Sequence, residues 1–463
     1  MYTEDTIVAI STPLGEGGIG IVRLSGNGAI KIAEKIFRSP SGRKIKELSS
    51  REMIHGFSRH PRTGEPIDEV LVSVMKAPGT YTREDVVEIN CHGGIVPLRG
   101  TLEAALEAGA RMAEPGEFTK RAFLNGRIDL SQCEATLDII KSKTDASLRA
   151  AMGQLEGRLS SEINLLRSEL TEILAHLEAT VDFSDEDIDP LPRPEIIKRL
   201  RWAREKNRAL VDSAKGGRLL REGVITVIVG KPNVGKSSLL NALLSEERAI
   251  VTPIPGTTRD VIEEGLNVKG VPLVLKDTAG IRHPKDVVES AGVELSRQSL
   301  RAADLVLCVL DGSGCLDEED MTILREACGK KTIVVINKSD LPRKLDETKA
   351  LEVLGGGDAN AIPVSALYMS GLDLLRDAIF DAVVVGRIVP GEEVMVTNVR
   401  HLDALRRTRK HLSRSIRALR KDLSEEFVAS DVRDALSALG EIVGETITED
   451  VLDKIFSQFC IGK

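Results

Sequence analysis

The first quarter of the chain alternates short apolar runs with turns. Residues 1 to about 118 contain β-like segments such as TIVAIS, EVLVSVM and DVVEINC, separated by Gly-rich stretches. Two stretches, near 29–37 and 97–108, instead place apolar residues at helical spacing. This mixture predicts a compact α+β domain.

The rest of the chain changes pattern three times. From 131 to about 215, Leu, Ile and Ala recur at helical spacing and are interrupted by the acidic stretch DFSDEDIDPLPRP. Between about 216 and 385, the runs VITVIVG, LVLCVL and TIVVIN alternate with helical stretches, and helical periodicity returns from 398 to 459. Strands rich in β-branched residues that alternate with helices predict a parallel sheet covered by helices.

The order helical, α/β, helical is explained most simply by an α/β domain inserted into a helical one. We therefore predict a multidomain chain of the α/β and α classes, with a discontinuous helical domain. The expected segments are an N-terminal domain at 1–118, helical parts at 119–215 and 386–463, and the α/β domain at 216–385. A length of 463 residues agrees with about three domains.

Composition narrows the class of protein further. The chain is 42% hydrophobic and 29% charged, which is typical of a globular protein. Its six cysteines lie far apart without CxxC pairs, so reduced thiols and a cytoplasmic location are expected. The sequence shows no signal-peptide pattern and no continuous apolar run of about 18 residues, so we expect no membrane span. The net charge of −8 argues against a chain coated in nucleic-acid-binding surface, but it allows a local basic patch.

The segment GKPNVGKS, residues 230–237, matches the phosphate-binding P-loop pattern. It directly follows the strand-like VITVIVG and precedes the helix-like SLLNALLS, which is the context that a P-loop requires. Backbone N–H groups of such a loop surround phosphate oxygens at a helix N-terminus. Lys236 would neutralise phosphate charge, and the Ser237 hydroxyl would bind Mg²⁺.

Four further segments follow in the order that a GTPase needs. TPIPGTTRD offers Thr258 as a second Mg²⁺ ligand, and DTAG places Asp277 near the metal and the Gly280 N–H near the γ-phosphate. NKSD ends the run TIVVIN, and the Asp340 carboxylate can accept two N–H bonds from guanine, which favours GTP over ATP. SAL closes the next strand and can supply a backbone N–H to the guanine carbonyl. DTAG is followed by the apolar Ile281, where Ras-like enzymes keep a water-orienting glutamine.

Together these five segments define the expected GTP site. The predicted GTP-binding residues are Asn233, Val234, Gly235, Lys236, Ser237, Ser238, Thr252, Pro253, Ile254, Pro255, Gly256, Thr257, Thr258, Asp277, Thr278, Ala279, Gly280, Asn337, Lys338, Ser339, Asp340, Ser365, Ala366 and Leu367.

Other stretches carry a more specific resemblance. They are GIGIVRLSG near the N-terminus, PGEFTKRAFLNGRIDL, REGVITVIVGKPNVGKSSLLNAL with GTTRD, and the terminal FCIGK. With these stretches the chain resembles, from end to end, the MnmE (TrmE) family of tRNA-modifying GTPases. The resemblance implies an N-terminal domain like the tetrahydrofolate-binding fold of glycine-cleavage T-protein, and a Ras-like GTPase domain inserted into a helical one. The nucleotide motifs alone are less specific, because ribosome-assembly GTPases also carry GxPNVGKS.

The resemblance suggests what replaces the missing glutamine. In this family a K⁺ ion beside the phosphates stands in for an arginine finger, and the matching ligand positions are Asn233, Thr252, Ile254 and Thr257. Amide, hydroxyl and carbonyl oxygens suit an alkali ion, whose charge would stabilise the transferring phosphoryl group. The family's water-orienting acid corresponds to Glu289. From the residue alone, an exposed acid near a helix start is the simpler interpretation of Glu289.

The resemblance also implies a folate site. The matching residues are Arg23, Glu84, Arg127 and Lys463, whose charges suit folate carboxylates and the pterin edge. Each of these residues alone reads equally well as part of a surface ion pair. Cys460 becomes a candidate functional thiol near this region, although a single late cysteine is more often merely packed or exposed.

A basic stretch lies in the last helical part. Residues 400–421 carry nine Arg or Lys against one Asp, with Leu402, Leu405, Leu412, Ile416 and Leu419 at roughly helical spacing. One face can therefore pack while the basic face reaches solvent. That face fits either a tRNA backbone or a merely solvated surface.

The resulting hypothesis is a K⁺-dependent, Mg²⁺-using GTPase that modifies the wobble uridine of certain tRNAs with an aminomethyl or carboxymethylaminomethyl group. By resemblance, its cofactor is a reduced folate, either 5-formyltetrahydrofolate or methylenetetrahydrofolate. It is expected to form a homodimer through its N-terminal domains and a heterotetramer with the FAD-dependent MnmG (GidA). The alternative is a ribosome-assembly GTPase switch without covalent RNA chemistry. That alternative explains the nucleotide motifs but not Arg23 or FCIGK.

The expected role of Glu289 is directly testable. The substitution Glu289→Ala should leave GTP binding intact and remove most turnover, because it deletes the carboxylate that would orient the attacking water. Nucleotide affinity and steady-state hydrolysis measured on the same preparation separate the two effects. Hydrolysis at the wild-type rate would exclude this role.

Overall fold

The fold is described from a computed structural model, which covers residues 5–182, 191–247, 264–276, 300–355, 360–384 and 394–463. Contacts divide the chain into two compact units. The first combines the N-terminal residues up to 137 with the C-terminal residues 440–463, and the second comprises most of what lies between them. The predicted segments TPIPGTTRD, DTAG with Ile281, and Glu289 lie outside the described residues.

The first unit is built on a seven-stranded sheet with the strand order β3-β4-β5-β6-β2-β1-β7. Neighbouring strands are antiparallel except for the parallel pair β1 and β7. The strands are β1 Ile7–Ile10, β2 Gly17–Ser25, β3 Phe37–Arg38, β4 Glu52–Arg59, β5 Pro66–Met75, β6 Val86–Gly93 and β7 Arg111–Met112.

The helices alternate with and follow these strands. The first four helices are α1 Ala29–Ile36, α2 Ile95–Glu107, α3 Glu117–Leu124 and α4 Leu130–Lys141. Those that follow are α5 Asp145–Leu155, α6 Arg158–Asp182, α7 Arg193–Glu222, α8 Lys236–Glu247, α9 Glu318–Ala327, α10 Glu347–Val353, α11 Leu372–Val384, α12 Val399–Arg420, α13 Glu425–Val443 and α14 Glu449–Phe456.

The alternation along β2 explains how the first sheet is covered. Val22 and Leu24 point to one face and join the main core with α1 and α2. Arg23 and Ser25 lie on the opposite face, which they share with Ile7 and Ala9 of β1 because directly paired residues project to the same side. Phe118 of α3 packs on this second face and leaves the polar side chains of β2 beside it.

The C-terminal residues belong to the first unit because α14 supplies part of its core. Leu452, Phe456 and Phe459 pack with Leu130 and Cys133 of α4. The rings of Phe456 and Phe459 lie 5.7 Å apart. Burial of such aromatic side chains is a main source of packing stability. The chain end is thereby held within the first unit.

Long helices of the second unit follow a coiled-coil spacing. The residues of α6 that are almost fully buried recur at intervals of four and three, at Leu159, Ile163, Leu166, Leu170, Ile173 and Leu177. This spacing keeps one narrow apolar stripe facing its neighbour α7, against which α6 packs. The helix α7 also packs against α12.

The α/β part of the second unit contains a six-stranded sheet in the order β13-β12-β11-β8-β10-β9. All neighbouring pairs are parallel except β9 with β10. The strands are β8 Val224–Val229, β9 Glu264–Val268, β10 Val271–Lys276, β11 Leu305–Asp311, β12 Thr332–Asn337 and β13 Ala361–Pro363.

Burial on both faces accounts for the uninterrupted apolar runs of this sheet. In β11, Leu307 and Val309 belong to a core that includes α8 and α11. The neighbouring Val306 and Cys308 belong to a second core, which includes α9. All residues of β11 from Leu305 to Leu310 are buried, so the period-2 alternation disappears. The expected fold class is confirmed, whereas the exact domain boundaries stay predictions.

Two local expectations can be compared with the structure. The helical pattern near 29–37 forms α1, and that near 97–108 forms α2, which begins two residues earlier at Ile95. The basic stretch 400–421 forms α12, in which Leu405, Leu412, Ile416 and Leu419 are buried and Leu402 is half-buried. None of the helices in the described residues has both the length and the apolar character needed to cross a membrane.

Candidate functional site

The P-loop lies between the end of β8 at Val229 and the start of α8 at Lys236. Two of its glycines are required by close approach. A Cβ on Gly230 would lie 2.4 Å from the Val309 carbonyl oxygen, and one on Gly235, whose φ is +97°, would lie 2.1 Å from Asn337 Nδ2. The loop therefore folds tightly against neighbouring strands and delivers its backbone to the N-terminus of α8, the end of a helix that favours anions.

Lys236 is held against its own loop. Its Nζ donates to the carbonyl oxygens of Gly230 at 2.6 Å and of Lys231 at 2.8 Å. Burial lowers the pKa of the Lys236 ammonium. Ser237 and Ser238 follow in the first turn of α8 and are exposed. A cation at this position can pair with phosphate oxygens, and an exposed hydroxyl beside it suits a metal ligand.

Asn337, the first residue of NKSD, connects the P-loop to the SAL segment. Its Nδ2 donates to the Val234 carbonyl at 2.8 Å, and its Oδ1 accepts from the Ala366 N–H at 3.1 Å. Ser365 Oγ donates to Asp340 Oδ1 at 2.5 Å. The motifs GKPNVGKS, NKSD and SAL are thus joined by direct hydrogen bonds at the carboxyl edge of the parallel sheet, which is where ligands of such sheets bind.

Lys338 has a partner that the sequence motifs did not reveal. Its Nζ lies 2.6 Å from Oδ2 of Asp311, the last residue of β11. Burial raises the pKa of Asp311, but hydrogen bonds from Lys338 and Ser313 outweigh it and leave that pKa below its ordinary value. Leu367 and Ser339 are exposed beside these groups.

Part of the expected nucleotide site lies outside the described residues. The expected site residues in this part are Thr252, Pro253, Ile254, Pro255, Gly256, Thr257, Thr258, Asp277, Thr278, Ala279, Gly280 and Glu289. Of the expected ion ligands, Ser237 and Asn233 are described. Asn233 is exposed and has a φ of +64°.

The second candidate site joins the chain end to the first sheet. Arg23 Nη1 donates to the Gly462 carbonyl at 3.1 Å, while Arg23 Nε donates to Glu88 Oε1 at 2.7 Å. The N–H of Gly116 donates to the Cys460 carbonyl at 3.4 Å. Burial and the neighbouring charge of Arg23 lower the pKa of Lys463. Arg23 and Lys463 therefore form a cationic group, and the thiol of Cys460 beside it is exposed.

Glu84 lies near the same strand and is held by hydrogen bonds. It accepts from Ser25 Oγ at 2.7 Å and from Arg121 Nη1 at 3.1 Å. Arg121 is almost fully buried and also pairs with Asp5 and Glu117. A buried guanidinium that donates to several carboxylates fixes their orientation. Sequence reasoning missed Arg121, although it lies in PGEFTKRAFLNGRIDL.

Arg127 is placed differently from the other expected folate residues. Its guanidinium lies over the Tyr81 ring, 4.6 Å from the ring centre, and its Nη1 donates to the Tyr81 carbonyl at 3.4 Å. A planar cation stacks well on an aromatic ring. Arg127 is therefore anchored beside the loop that carries Glu84, and its described contacts are with Tyr81.

The basic stretch forms one face of α12. Its exposed basic residues are Arg406, Arg409, Lys410, Arg414, Arg417, Arg420 and Lys421. His401, Leu405, Thr408 and Leu412 on the same helix are buried. Burial of one stripe thus orients the arginines and lysines outward, in the arrangement that a phosphate backbone would require.

Comparisons with known proteins identify the family of the chain. The chain matches the model of the MnmE helical domain over residues 130–460 and that of the GTP-binding protein TrmE N-terminus over residues 6–127. The tRNA modification GTPases MnmE of Clostridioides difficile (strain 630) and of Alkaliphilus metalliredigens (strain QYMF) are 50% and 48% identical, each with 100% of both chains covered. The corresponding protein of Thermoanaerobacter pseudethanolicus is 50% identical, with 99% of both chains covered.

Proposed function

Because the chain belongs to the MnmE family of tRNA modification GTPases, we propose that its GTP hydrolysis serves the modification of the wobble uridine in certain tRNAs. The group added is aminomethyl or carboxymethylaminomethyl. The observation that carries the proposal is the second site, where Arg23 contacts the Gly462 carbonyl. A GTP-driven switch alone has no use for such a site.

The proposed reaction needs a redox partner, since no redox-cofactor motif is apparent in the sequence. We propose that a homodimer of this chain assembles with the FAD-dependent MnmG (GidA) into a heterotetramer in the cytoplasm. In this assembly the present chain contributes GTP hydrolysis and the folate. The exposed basic face of α12 supports contact with tRNA, because outward arginines and lysines pair with phosphates irrespective of sequence.

Nucleoside analysis of tRNA tests the modification itself. Deletion of the gene should remove the modified wobble nucleoside from digested tRNA, and a plasmid copy of the wild-type chain should restore it. A copy carrying Lys236→Ala should fail to restore it, because the P-loop loses the cation that pairs with phosphates. Mass spectrometry of the nucleosides measures both results. Intact modification of the wobble uridine in the deletion strain would instead favour a ribosome-assembly role.

The proposed catalytic cation is K⁺, with Asn233, Thr252, Ile254 and Thr257 as its ligands and with Mg²⁺ bound separately by Ser237 and Thr258. The exposed position of Asn233 at the P-loop supports this role, because its amide oxygen can replace part of an alkali ion's hydration shell. An ion in this place would stabilise charge on the transferring phosphoryl group, and Glu289 would orient water.

Exchange of the monovalent ion tests this assignment. At constant ionic strength, KCl should raise GTP turnover at least about tenfold over NaCl, because smaller Na⁺ fits the same oxygen ligands poorly. The variant Asn233→Ala should lose this difference while it still binds GTP in the presence of Mg²⁺. Equal steady-state rates in the two salts would rule out potassium as the activating ion.

The proposed one-carbon cofactor is a reduced folate held by Arg23, Glu84, Arg127 and Lys463. The cations suit its glutamate carboxylates, and the Glu84 carboxylate suits N–H donors at the pterin edge. Arg121 donates a hydrogen bond to the Glu84 carboxylate, so the orientation of Glu84 is set before a ligand binds. Cys460 is exposed within this site and is proposed as a functional thiol.

The close packing of Gly462 offers a test of the folate proposal. Its φ is +97°, and an added Cβ would lie 2.4 Å from the Ile10 carbonyl oxygen. Gly462→Ala should therefore displace Lys463 and weaken 5-formyltetrahydrofolate binding by about tenfold or more, the scale of one lost charged contact. Calorimetry on the whole protein measures this affinity, and GTP affinity should stay unchanged.

The matched control is Gly18→Ala in the same strand as Arg23, where an added Cβ meets no atom within 4 Å. It should bind the folate as the wild type does. Failure of the wild-type protein to bind a reduced folate would remove this cofactor from the proposal. Unchanged affinity in Gly462→Ala would instead remove the C-terminal residues from the site.

A further inference from the structure

Lys231 is a P-loop residue whose side chain reaches away from its own loop. Its Nζ lies 2.6 Å from Asp317 Oδ2 and 2.8 Å from Asp320 Oδ2. The Asp320 side chain is only 3% exposed, and that of Lys231 is 22% exposed. One ammonium group therefore bridges two carboxylates in a partly buried setting, where charge-assisted hydrogen bonds are stronger than at an open surface.

The two aspartates lie at the start of α9. Asp317 caps this helix, because its side chain accepts from the Asp320 N–H at 3.0 Å. The hydrogen bond from Lys231 holds the pKa of Asp317 at about 2, and both aspartates raise the pKa of Lys231. Lys231 and Asp317 are therefore both charged near neutral pH.

The chain from Asp311 to Asp320, which includes both aspartates, also contacts the NKSD segment. Asp311 begins it and pairs with Lys338, while the N–H of Gly312 donates to the Asn337 carbonyl at 2.8 Å. Asp317 and Asp320 end the segment and pair with Lys231. We name residues 311–320 the connecting segment. It links NKSD to the P-loop by a route separate from the Asn337 side chain.

The position of Lys231 also affects Lys236. The Lys231 carbonyl oxygen accepts a hydrogen bond from Lys236 Nζ at 2.8 Å. Anchoring of the Lys231 side chain therefore fixes the backbone atom against which the phosphate-binding lysine rests. A merely structural ion pair would stabilise the fold but would have no preferential effect on nucleotide binding.

We propose that Lys231 is a positioning residue for guanine nucleotides, which it serves by clamping the P-loop to the connecting segment. The inference rests on the proposed nucleotide site and adds to it a residue whose ammonium group pairs with two aspartates. The clamp organises the loop equally in the ground state and in the transition state. Its loss should therefore raise KM and the dissociation constants for GTP and GDP, with little effect on kcat.

The test compares Lys231→Gln with the wild type in the full-length protein. The Kd of a fluorescent GDP analogue and the KM for GTP should rise about tenfold, and kcat at saturating GTP should stay within about twofold. Lys231→Arg should restore affinity, because a guanidinium keeps the charge and can donate to both carboxylates. Lys269→Gln is the control, since it removes a more exposed ion pair with Asp377 from the same unit.

A double-mutant cycle identifies the partner. Asp317→Asn keeps a good helix cap but removes the negative charge, so it should weaken binding in the wild-type background and add little to Lys231→Gln. Thermal unfolding checks each variant. If Lys231→Gln does not fold, the exposed substitution Asp317→Asn alone decides, because the clamp requires it to reduce nucleotide affinity.

The outcomes separate this inference from the proposed function. If the wild-type chain binds no guanine nucleotide, the proposed function fails. If the wild type binds but folded Lys231→Gln binds equally well, only the clamp is overturned. The clamp is also overturned if the effects of Lys231→Gln and Asp317→Asn are additive. It is equally overturned if Lys231→Arg fails to restore affinity, or if Lys269→Gln loses as much affinity as Lys231→Gln.

Discussion

The nucleotide site depends on the side-chain amide of Asn337, which bonds at once to the P-loop and to the segment after β13. Its nitrogen donates to Val234 and its oxygen accepts from Ala366. Both contacts are buried, and an unpaired buried polar group costs about 1–3 kcal/mol. The amide comes so close to Gly235 that no side chain fits at that position. A single residue therefore sets the spacing between the loops proposed to hold phosphate and base.

Ion pairs organise the groups around that amide. Lys338 is held by Asp311, and Lys231 by Asp317 and Asp320. These pairs lie at the edge of a sheet whose two faces are both covered by apolar side chains. Since the sheet itself provides a rigid frame, modest polar contacts are sufficient to orient the loops that extend from it.

In the first unit, polar contacts likewise orient groups beside a sheet, and one of these groups is the end of the chain. Aromatic packing of Phe456 and Phe459 brings the last residues beside Arg23, and Arg121 fixes Glu84 from the interior. A terminus is ordinarily poorly ordered unless other contacts hold it. Here those contacts hold the Gly462 carbonyl against Arg23, between the exposed Cys460 and Lys463. Glu84 is tied to the same sheet face through Ser25.

The sequence by itself determined the features that depend on local order. Strand, loop and helix around GKPNVGKS, the buried strand runs and the amphipathic α12 all follow from residues close together in the chain. The stretches from GIGIVRLSG to FCIGK likewise identified the family. Arg23 and Lys463 were selected only through that resemblance. A charged residue alone carries no information about its partner.

Only the tertiary structure decided which distant groups meet. Arg23 contacts Gly462 across 439 positions of sequence, and Lys231 contacts Asp320 across 89. Such pairs leave no periodic pattern, since each depends on how sheets and helices pack rather than on the spacing of neighbours. The sequence did not predict a role for Arg121 for the same reason. Its role arises because the fold buries it among Asp5, Glu84 and Glu117, which come from three separate segments.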